Sequence, residues 1–347
     1  MKKLSSNEQT AYLFSDRILR RYFTRIDIAE GYLIISGENL TYFTDARYFL
    51  PAKERLNGVG IECKLFRGLE CLKEHLHGLG VSELKLDYRT TTMKEYGEYK
   101  EFGFNISDAS NELELVRSVK SEVELDCIKK ACDIIERAYH SAIKHAKKGM
   151  TELELKEILE KFAFEYGAET MAFDTIVAFG ENSAVPHHET GNTVLQENMT
   201  VLIDTGCTIN GYCSDLTRTA FFGTPSEKFV NCYNAVRKAN LLAIEKISAG
   251  ISCVDADAIA RNYLKENGLD KYFTHSLGHG VGLEIHEYPT VSPRSQAVLE
   301  ENVVFTIEPG VYIDHEFGIR VEDTVVIKNG KVQRLFSDDK ELIILKK

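Results

Sequence analysis

Asp204 closes the apolar run Val201-Leu202-Ile203, and Asp215 follows eleven residues later. Between them, Asn210-Gly211 is the strongest short signal for a β-hairpin. If those two residues form the loop, residue 209 pairs with 212, 206 with 215 and 204 with 217. Both aspartates then lie diagonally on one face, roughly 7–8 Å apart at the backbone. Two carboxylates at that range share a cation, or repel until one keeps its proton. Acids set among apolar residues are almost never buried without a partner.

Two further acids stand in comparable places. Glu308 ends Val303-Val304-Phe305-Thr306-Ile307 and precedes Pro309-Gly310. Glu322 is expected inside one β-strand over residues 319–327, with Arg320 on the same face and able to neutralise part of the acid cluster. Val201–Gly206 and Val304–Gly310 echo each other, which hints at an internally duplicated sheet with an acid at matching points. Five of the ten histidines gather in two places: His275, His279 and His286 in one segment, His187 and His188 in another. Gly278, Gly280 and Gly282 suit a turn or close backbone approach more than a helix. Four carboxylates and an imidazole fit two divalent ions about 3.5–4 Å apart, bridged by carboxylates and a water or hydroxide. Oxygen dominance favours Mn²⁺, with Co²⁺ or Zn²⁺ as alternatives, over a thiolate-type zinc site. These residues alone point to a dinuclear hydrolase and leave its substrate open.

The rest of the composition narrows the class. The 347 residues carry 42 basic and 53 acidic side chains, a net charge of −11. That balance offers no footprint for nucleic acid or an anionic membrane surface. No apolar run approaches the roughly 18 residues of a membrane span. The N-terminus turns polar after Lys2-Lys3, so no signal-peptide core is expected. The eight cysteines include no Cys-x-x-Cys pair and are expected to be buried free thiols of a soluble cytoplasmic protein.

The elements that must position these groups are those of an α+β chain. Residues 32–35 and 40–43 predict two short strands about a turn, with strands at 59–66 and 84–87 and helices at 70–77 and 92–101. Near residue 120 the character changes. Ser121-Glu122-Val123-Glu124 starts a helix predicted to reach about Lys147, with Gly149 as its stop. Thr151-Glu152-Leu153-Glu154 is a capping box for a second, ending near Gly167. Strands and hairpins follow, then helices near 226–248 and 255–267, then strands again. The domain boundary is expected at 115–120, giving domains of 1–118 and 119–347.

Five blocks carry a likeness. Ile203-Asp204-Thr205-Gly206, Tyr212–Thr219, Gly278-His279-Gly280-Val281-Gly282, Thr306-Ile307-Glu308-Pro309-Gly310 and Arg320-Val321-Glu322-Asp323 resemble the five metal-ligand blocks of the pita-bread metallopeptidases. That family includes aminopeptidase P, Xaa-Pro dipeptidase (prolidase) and methionine aminopeptidase. Arg117-Ser118-Val119-Lys120-Ser121-Glu122 also resembles the start of the catalytic domain in the proline-specific branch. The resemblance implies a pita-bread (creatinase/aminopeptidase-like) catalytic domain behind a smaller α/β creatinase-like domain. It implies two divalent ions held by Asp204, Asp215, His279, Glu308 and Glu322, with Asp215 and Glu322 bridging. It further implies His187, His286 and His275 as active-site histidines, with His188 the rival for the role of His187, and Glu308 as proton shuttle. The implied substrates are peptides with proline second, the implied assembly a homodimer.

The length sets methionine aminopeptidase aside, since that enzyme resembles residues 120–347 alone. A non-catalytic peptide-binding pita-bread module is the rival from another class; occupation of all five ligand positions opposes it. Aminopeptidase against dipeptidase turns on one position. In many prolidase-like members an Arg stands four residues after the second active-site His, to bind a dipeptide's carboxylate. Here that position is Thr290, with Arg294 four further on. The expectation is therefore an Xaa-Pro aminopeptidase, with Xaa-Pro dipeptidase as alternative.

Overall fold

The computed structural model describes Leu4 and residues 9–346. They divide into two compact units, 1–116 and 117–347.

The first unit alternates strands and helices: β1 (Thr10–Phe14), α1 (Arg17–Thr24), β2 (Tyr32–Ser36), β3 (Asn39–Thr44), α2 (Phe49–Asn57), β4 (Glu62–Leu65), α3 (Leu69–Gly78), β5 (Glu83–Leu86), α4 (Met93–Lys100), β6 (Asn105–Asp108) and α5 (Ser110–Ser118). The sheet order is β4-β3-β2-β1-β5-β6. Alternation along β1 sends Tyr12 and Phe14 into one core and Ala11 and Leu13 into another, so the sheet is covered on both faces. The turn between β2 and β3 is as expected, with Ser36 opposite Asn39. The strand expected over 59–66 shrinks to β4, because Gly60 turns the chain at φ +74°.

The second unit opens with α6 (Glu122–Ala142) and α7 (Glu152–Glu165); α7 starts with the expected capping box, and the polar cap expected at Ser121 proves to be a full capping box with Glu124. Helix α6 stops five residues short of Lys147. Residues Ile143–His145 tighten to a 3-10 turn, and Ala146 is extended. The chain continues through β7 (Thr170–Met171), β8 (Ile176–Phe179), β9 (Met199–Thr205), β10 (Cys207–Ile209), β11 (Tyr212–Cys213) and β12 (Leu216–Phe222). Helices α8 (Glu227–Lys246) and α9 (Cys253–Glu266) precede β13 (Gly278–Gly280), β14 (Glu287–Val291), β15 (Val304–Ile307), β16 (Gly310–Ile313), β17 (Phe317–Arg320), β18 (Asp323–Lys328), β19 (Lys331–Arg334) and β20 (Ile343–Leu345).

Two sheets dominate, β20-β12-β9-β8 and β14-β13-β15-β18-β19. One apolar core joins α6 and α7 to β8, β9 and β12; a second joins α8 and α9 to β15 and β18. The echo in the sequence is therefore an echo in space: helix pair, then an antiparallel strand pair bearing carboxylates at its end. Residues 319–327 do not form the single strand expected. Val321-Glu322 is a break between β17 and β18, which belong to different sheets, just as Glu308-Pro309 separates β15 from β16.

The segment after β19 returns beneath this region. Lys340 is buried, and its ammonium meets Asp323 Oδ2 at 2.5 Å and Asn240 Oδ1 at 2.6 Å. Arg218 and Arg334 complete the neutralisation of Asp323. Strand β20 then pairs in parallel with β12. All eight cysteines are free, six of them buried. Among the described residues no helix is long and apolar enough to cross a membrane.

Candidate metal centre

The hairpin register is the expected one: Ile209 opposes Tyr212 and Asp204 opposes Thr217. Asn210 and Gly211 supply the positive φ values, 49° and 76°, that the two-residue turn requires. A Cβ on Gly206 would come within 2.0 Å of Ser214 O, so only glycine allows the two arms to meet.

Asp215, His279 and Glu322 bring one ligand atom each within 4.8 Å of one another. His279 Nε2 lies 3.5 Å from Asp215 Oδ2 and 3.4 Å from Glu308 Oε1. Its Nδ1 lies 3.1 Å from Gly280 O, which only a protonated nitrogen satisfies. The neutral ring therefore turns a bare Nε2 lone pair toward two carboxylates, an arrangement that calls for a cation between them or a proton kept on one of them. Burial, then the neighbouring His286, pushes this imidazole down to about 4, so a charged ring does not fill that role.

Asp204 is the most telling member. Its Oδ2 accepts from Arg320 Nη2 at 2.6 Å, while Oδ1 is buried with no hydrogen-bond partner among the described residues. Burial and the mutual repulsion of Glu322, Asp204 and Glu308 push Asp215 well above the ordinary carboxylate range. Glu322 is pushed up by burial, Glu308 and Asp204, and Glu308 reaches about 8 through burial first. Among the described residues Arg320 is the one cation acting on these four carboxylates. An oxygen-rich pocket short of positive charge, with a bare imidazole and an orphaned carboxylate oxygen, is the donor set of a hard divalent cation.

Supporting side chains, absent from the sequence reading, fix these groups. Thr217 Oγ1 donates to Glu322 Oε2 at 2.5 Å and accepts from Arg320 Nε at 3.0 Å. Thr306 Oγ1 donates to Glu308 Oε1 at 3.2 Å, and Thr324 Oγ1 donates to Asp215 O at 2.8 Å. Tyr312 OH accepts from Arg320 Nη1 at 2.7 Å and lies 3.0 Å from His275 Nε2. Thr217 was visible as the register partner of Asp204; Tyr312 gave no signal.

The histidines separate. The His286 ring stands 4.2 Å from that of His279, edge on, and faces solvent. His187 is exposed and lies close enough to press the charge of both His275 and His286 downward. The preceding Pro186 offers its carbonyl to Arg320 Nη1 at 3.3 Å, tying that loop to the cluster. His275 is half-buried behind Tyr312, its Nδ1 donating to Ser276 O at 2.8 Å; burial and Arg320 push it down to about 3. His188 turns away: its Nε2 donates to the wholly buried Glu152 carboxylate at 2.9 Å. Thr290 is the register partner of His279 and so shares its face of the sheet.

The expected close approaches are real. A Cβ on Gly278, Gly280 or Gly282 would meet Thr306 O at 2.0 Å, Tyr288 O at 2.3 Å or Glu287 Oε1 at 2.3 Å. Another trio, Glu136, His140 and Asp338, is spoken for: Arg218 and Arg334 hold Asp338, and Ser337 with the Asp338 amide holds Glu136.

Comparison with known proteins agrees. The sequence model of metallopeptidase family M24 matches residues 126–329. The Xaa-Pro dipeptidase of Pyrococcus horikoshii is 38% identical over 320 residues, 91% of this chain and 89% of that protein. An X-Pro aminopeptidase structure from Thermotoga maritima superposes with a TM-score of 0.90 at 33% identity, covering 97% of each chain. A Bacillus anthracis Xaa-Pro dipeptidase structure gives 0.92 at 35% identity, covering 96% of this chain and 95% of that one. The fold is the pita-bread fold behind an N-terminal α/β unit, and the chain belongs to metallopeptidase family M24.

Proposed function

We propose that this chain is a dinuclear metallo-exopeptidase that releases the N-terminal residue of peptides with proline in second place. The observation that carries it is the unbalanced cluster: buried Asp215 and Glu322 with half-buried Asp204 and Glu308 about the bare Nε2 of His279, and Asp204 Oδ1 unpartnered among the described residues. Those five residues would hold two divalent ions, Mn²⁺ by preference, which supply Lewis acidity and a water acidic enough to be a nucleophile near neutral pH. Residues 119–347 would be the catalytic domain and 1–118 the creatinase-like one.

The chain's own groups do the rest. Glu308 takes the proton of the attacking water and delivers it to the departing proline nitrogen. His187 or His286 donates to the developing oxyanion from the solvent side. Arg320 fixes Asp204, and Thr217 fixes Glu322, so neither carboxylate reorients during a turnover. The Xaa-Pro bond is a tertiary amide without an N–H, so recognition relies on the carbonyl and the free amine.

Substrate length favours the aminopeptidase reading. Thr290, on the face of His279, brings a hydroxyl where a dipeptide's carboxylate needs a cation. Tyr288, Thr290, Ser292 and Arg294 line a groove of about 440 Å³, room for residues after the proline. The dipeptidase reading stands second, supported by the names of the Pyrococcus and Bacillus relatives. We also place the protein in the cytoplasm, where eight free thiols stay reduced, and expect a homodimer. The deciding experiment is release of alanine from Ala-Pro-Ala and from Ala-Pro by the Mn²⁺-loaded protein. No cleavage of either would reject the reading, and cleavage of the dipeptide alone would favour the second.

A further inference from the structure

Arg117-Ser118-Val119-Lys120 has no part in the chemistry described so far, yet both of its cations converge on one carboxylate. Arg117 Nη2 lies 2.7 Å from Glu287 Oε2, and Lys120 Nζ lies 2.5 Å from Glu287 Oε1. The side chains of Glu287 and Lys120 are 6% and 1% exposed, so the pair is removed from water. Arg117 also reaches Glu284 at 2.7 Å. Burial would push the Glu287 carboxyl up, but Lys120 and Arg117 outweigh it and hold it below its ordinary value.

The loop between β13 and β14 is wrapped on that carboxylate. Gly282 stands so close that a Cβ would fall 2.3 Å from Glu287 Oε1. Gly282 O accepts the Cys213 amide at 2.8 Å, which fastens the loop two residues before Asp215. On the other side, the Lys120 amide donates to Asn302 O at 2.9 Å. The residue immediately before Glu287 is His286, whose ring stands against His279.

Stability alone does not account for this. Buried ion pairs exchanged for apolar groups of similar volume often leave a protein equally or more stable, so the two cations on Glu287 call for a role beyond stability. We propose that Arg117 and Lys120 are positioning residues: through Glu287 they lock residues 281–287 and so hold the His286 imidazole beside His279, on the substrate side of the carboxylates. The inference rests on the proposed exopeptidase function only in that His286 meets substrate there.

The test is a double-mutant cycle on the full Mn²⁺-loaded protein, with Ala-Pro-Ala as substrate and metal content measured for every variant. Lys120→Met is expected to lower kcat about 10- to 100-fold, the effect of an ångström-scale misplacement, with metal content unchanged. In a His286→Ala background the same substitution is expected to cost less than about threefold, because its effect runs through a ring that is no longer there. Equal losses in both backgrounds, or loss of metal, overturn the proposal. Lys120→Arg, which keeps the charge, should restore most of the activity; no rescue counts against the role. Lys120→Met with Glu287→Gln removes the carboxylate left short of one cation while Arg117 keeps Glu284, and should recover most of the wild-type Tm without its kcat; recovery of both overturns the proposal. A wild type inactive on Xaa-Pro peptides would defeat the functional reading instead. The positioning would then be decided by crystals of wild type and Lys120→Met: a His286 ring displaced by about 1 Å or split between rotamers supports it, an unmoved ring overturns it.

Discussion

Thr217 and Glu322, 105 residues apart, are joined twice: the threonine hydroxyl donates to Glu322 Oε2 at 2.5 Å, and the Glu322 amide donates to Thr217 O at 3.1 Å. Through this link the β9–β12 hairpin, which carries both aspartates, is bound to the sheet break that carries a glutamate. A carboxylate that serves a metal needs such a partner to keep its lone pairs aimed. Thr217→Val should therefore weaken divalent metal binding about 10- to 100-fold with little change in fold. Calorimetric titration of the metal-free protein with Mn²⁺ checks this; an unchanged Kd would remove Thr217 from the site.

EDTA should abolish peptidase activity, and Mn²⁺ or Co²⁺ should restore it. Asp215→Asn should be the more damaging of the two aspartate changes, since a bridging ligand serves both ions. Metal analysis and kcat of Asp215→Asn and Asp204→Asn check the order. Full activity in a demonstrably metal-free preparation contradicts the whole assignment.

Without metal, the cluster predicts a falling stability between about pH 6.5 and 8. Burial holds the folded Glu308 at about 8, and Asp215 and Glu322 shift the same way, so the folded state binds more protons than the unfolded chain in that range. His275 and His279, pushed down to about 3 and 4, act in the opposite sense but only below about 6.5. Lys340, pushed down to about 8, acts only above it. The Tm of chelated protein should drop from pH 6.5 to 8, and Mn²⁺ should flatten the slope. A chelated Tm that rises across this window contradicts the charge imbalance.

His187 and His188 should fail in different ways. His187→Ala should keep both metals and lose roughly 10²–10³ in kcat, the scale of one oxyanion donor. His188→Ala removes a donor from buried Glu152, which also receives the Phe179 amide, the Asn182 amide group and the Gly191 amide. It should cost about 1–3 kcal/mol of stability instead. Thermal melts and steady-state rates of the two variants separate these outcomes, and the reverse pattern would exchange the roles.

Thr290→Arg should move preference toward the dipeptide. A guanidinium beside His279 would meet the carboxylate of Xaa-Pro, whose burial without a cation costs several kcal/mol. The ratio of kcat/KM for Ala-Pro to that for Ala-Pro-Ala should rise at least tenfold, on the order of one charge-assisted contact. An unchanged ratio would show that Thr290 does not set length.

How far the site was legible depended on whether its geometry is local. Asn210-Gly211 fixed the register of Asp204 and Asp215, because a two-residue turn leaves one pairing. Glu322 could be found but not correctly seated: Ile319–Ile327 is rich in β-branched residues, and nothing in it announces that the chain changes sheets at Val321-Glu322. His187 stood ahead of His188 by the resemblance alone, since what separates them in the structure is Glu152, 36 residues from His188. Helix α1 was missed because Arg20, buried on its inner face, breaks the apolar stripe that would reveal it. The helix pairs α6–α7 and α8–α9 were plain because caps and apolar spacing are both short-range.

The return of residues 336–345 to the strands that carry Asp204 and Glu322 makes the candidate site depend on a segment that supplies none of its donors. Asp323, next to Glu322, is neutralised in part by Lys340, and β20 edges the sheet that carries Asp204. A chain that stops before Lys340 would keep Asp204, Asp215, His279, Glu308 and Glu322, yet would leave Asp323 without its ammonium and β12 without its parallel neighbour, so all five candidate donors would be present on a weakened support.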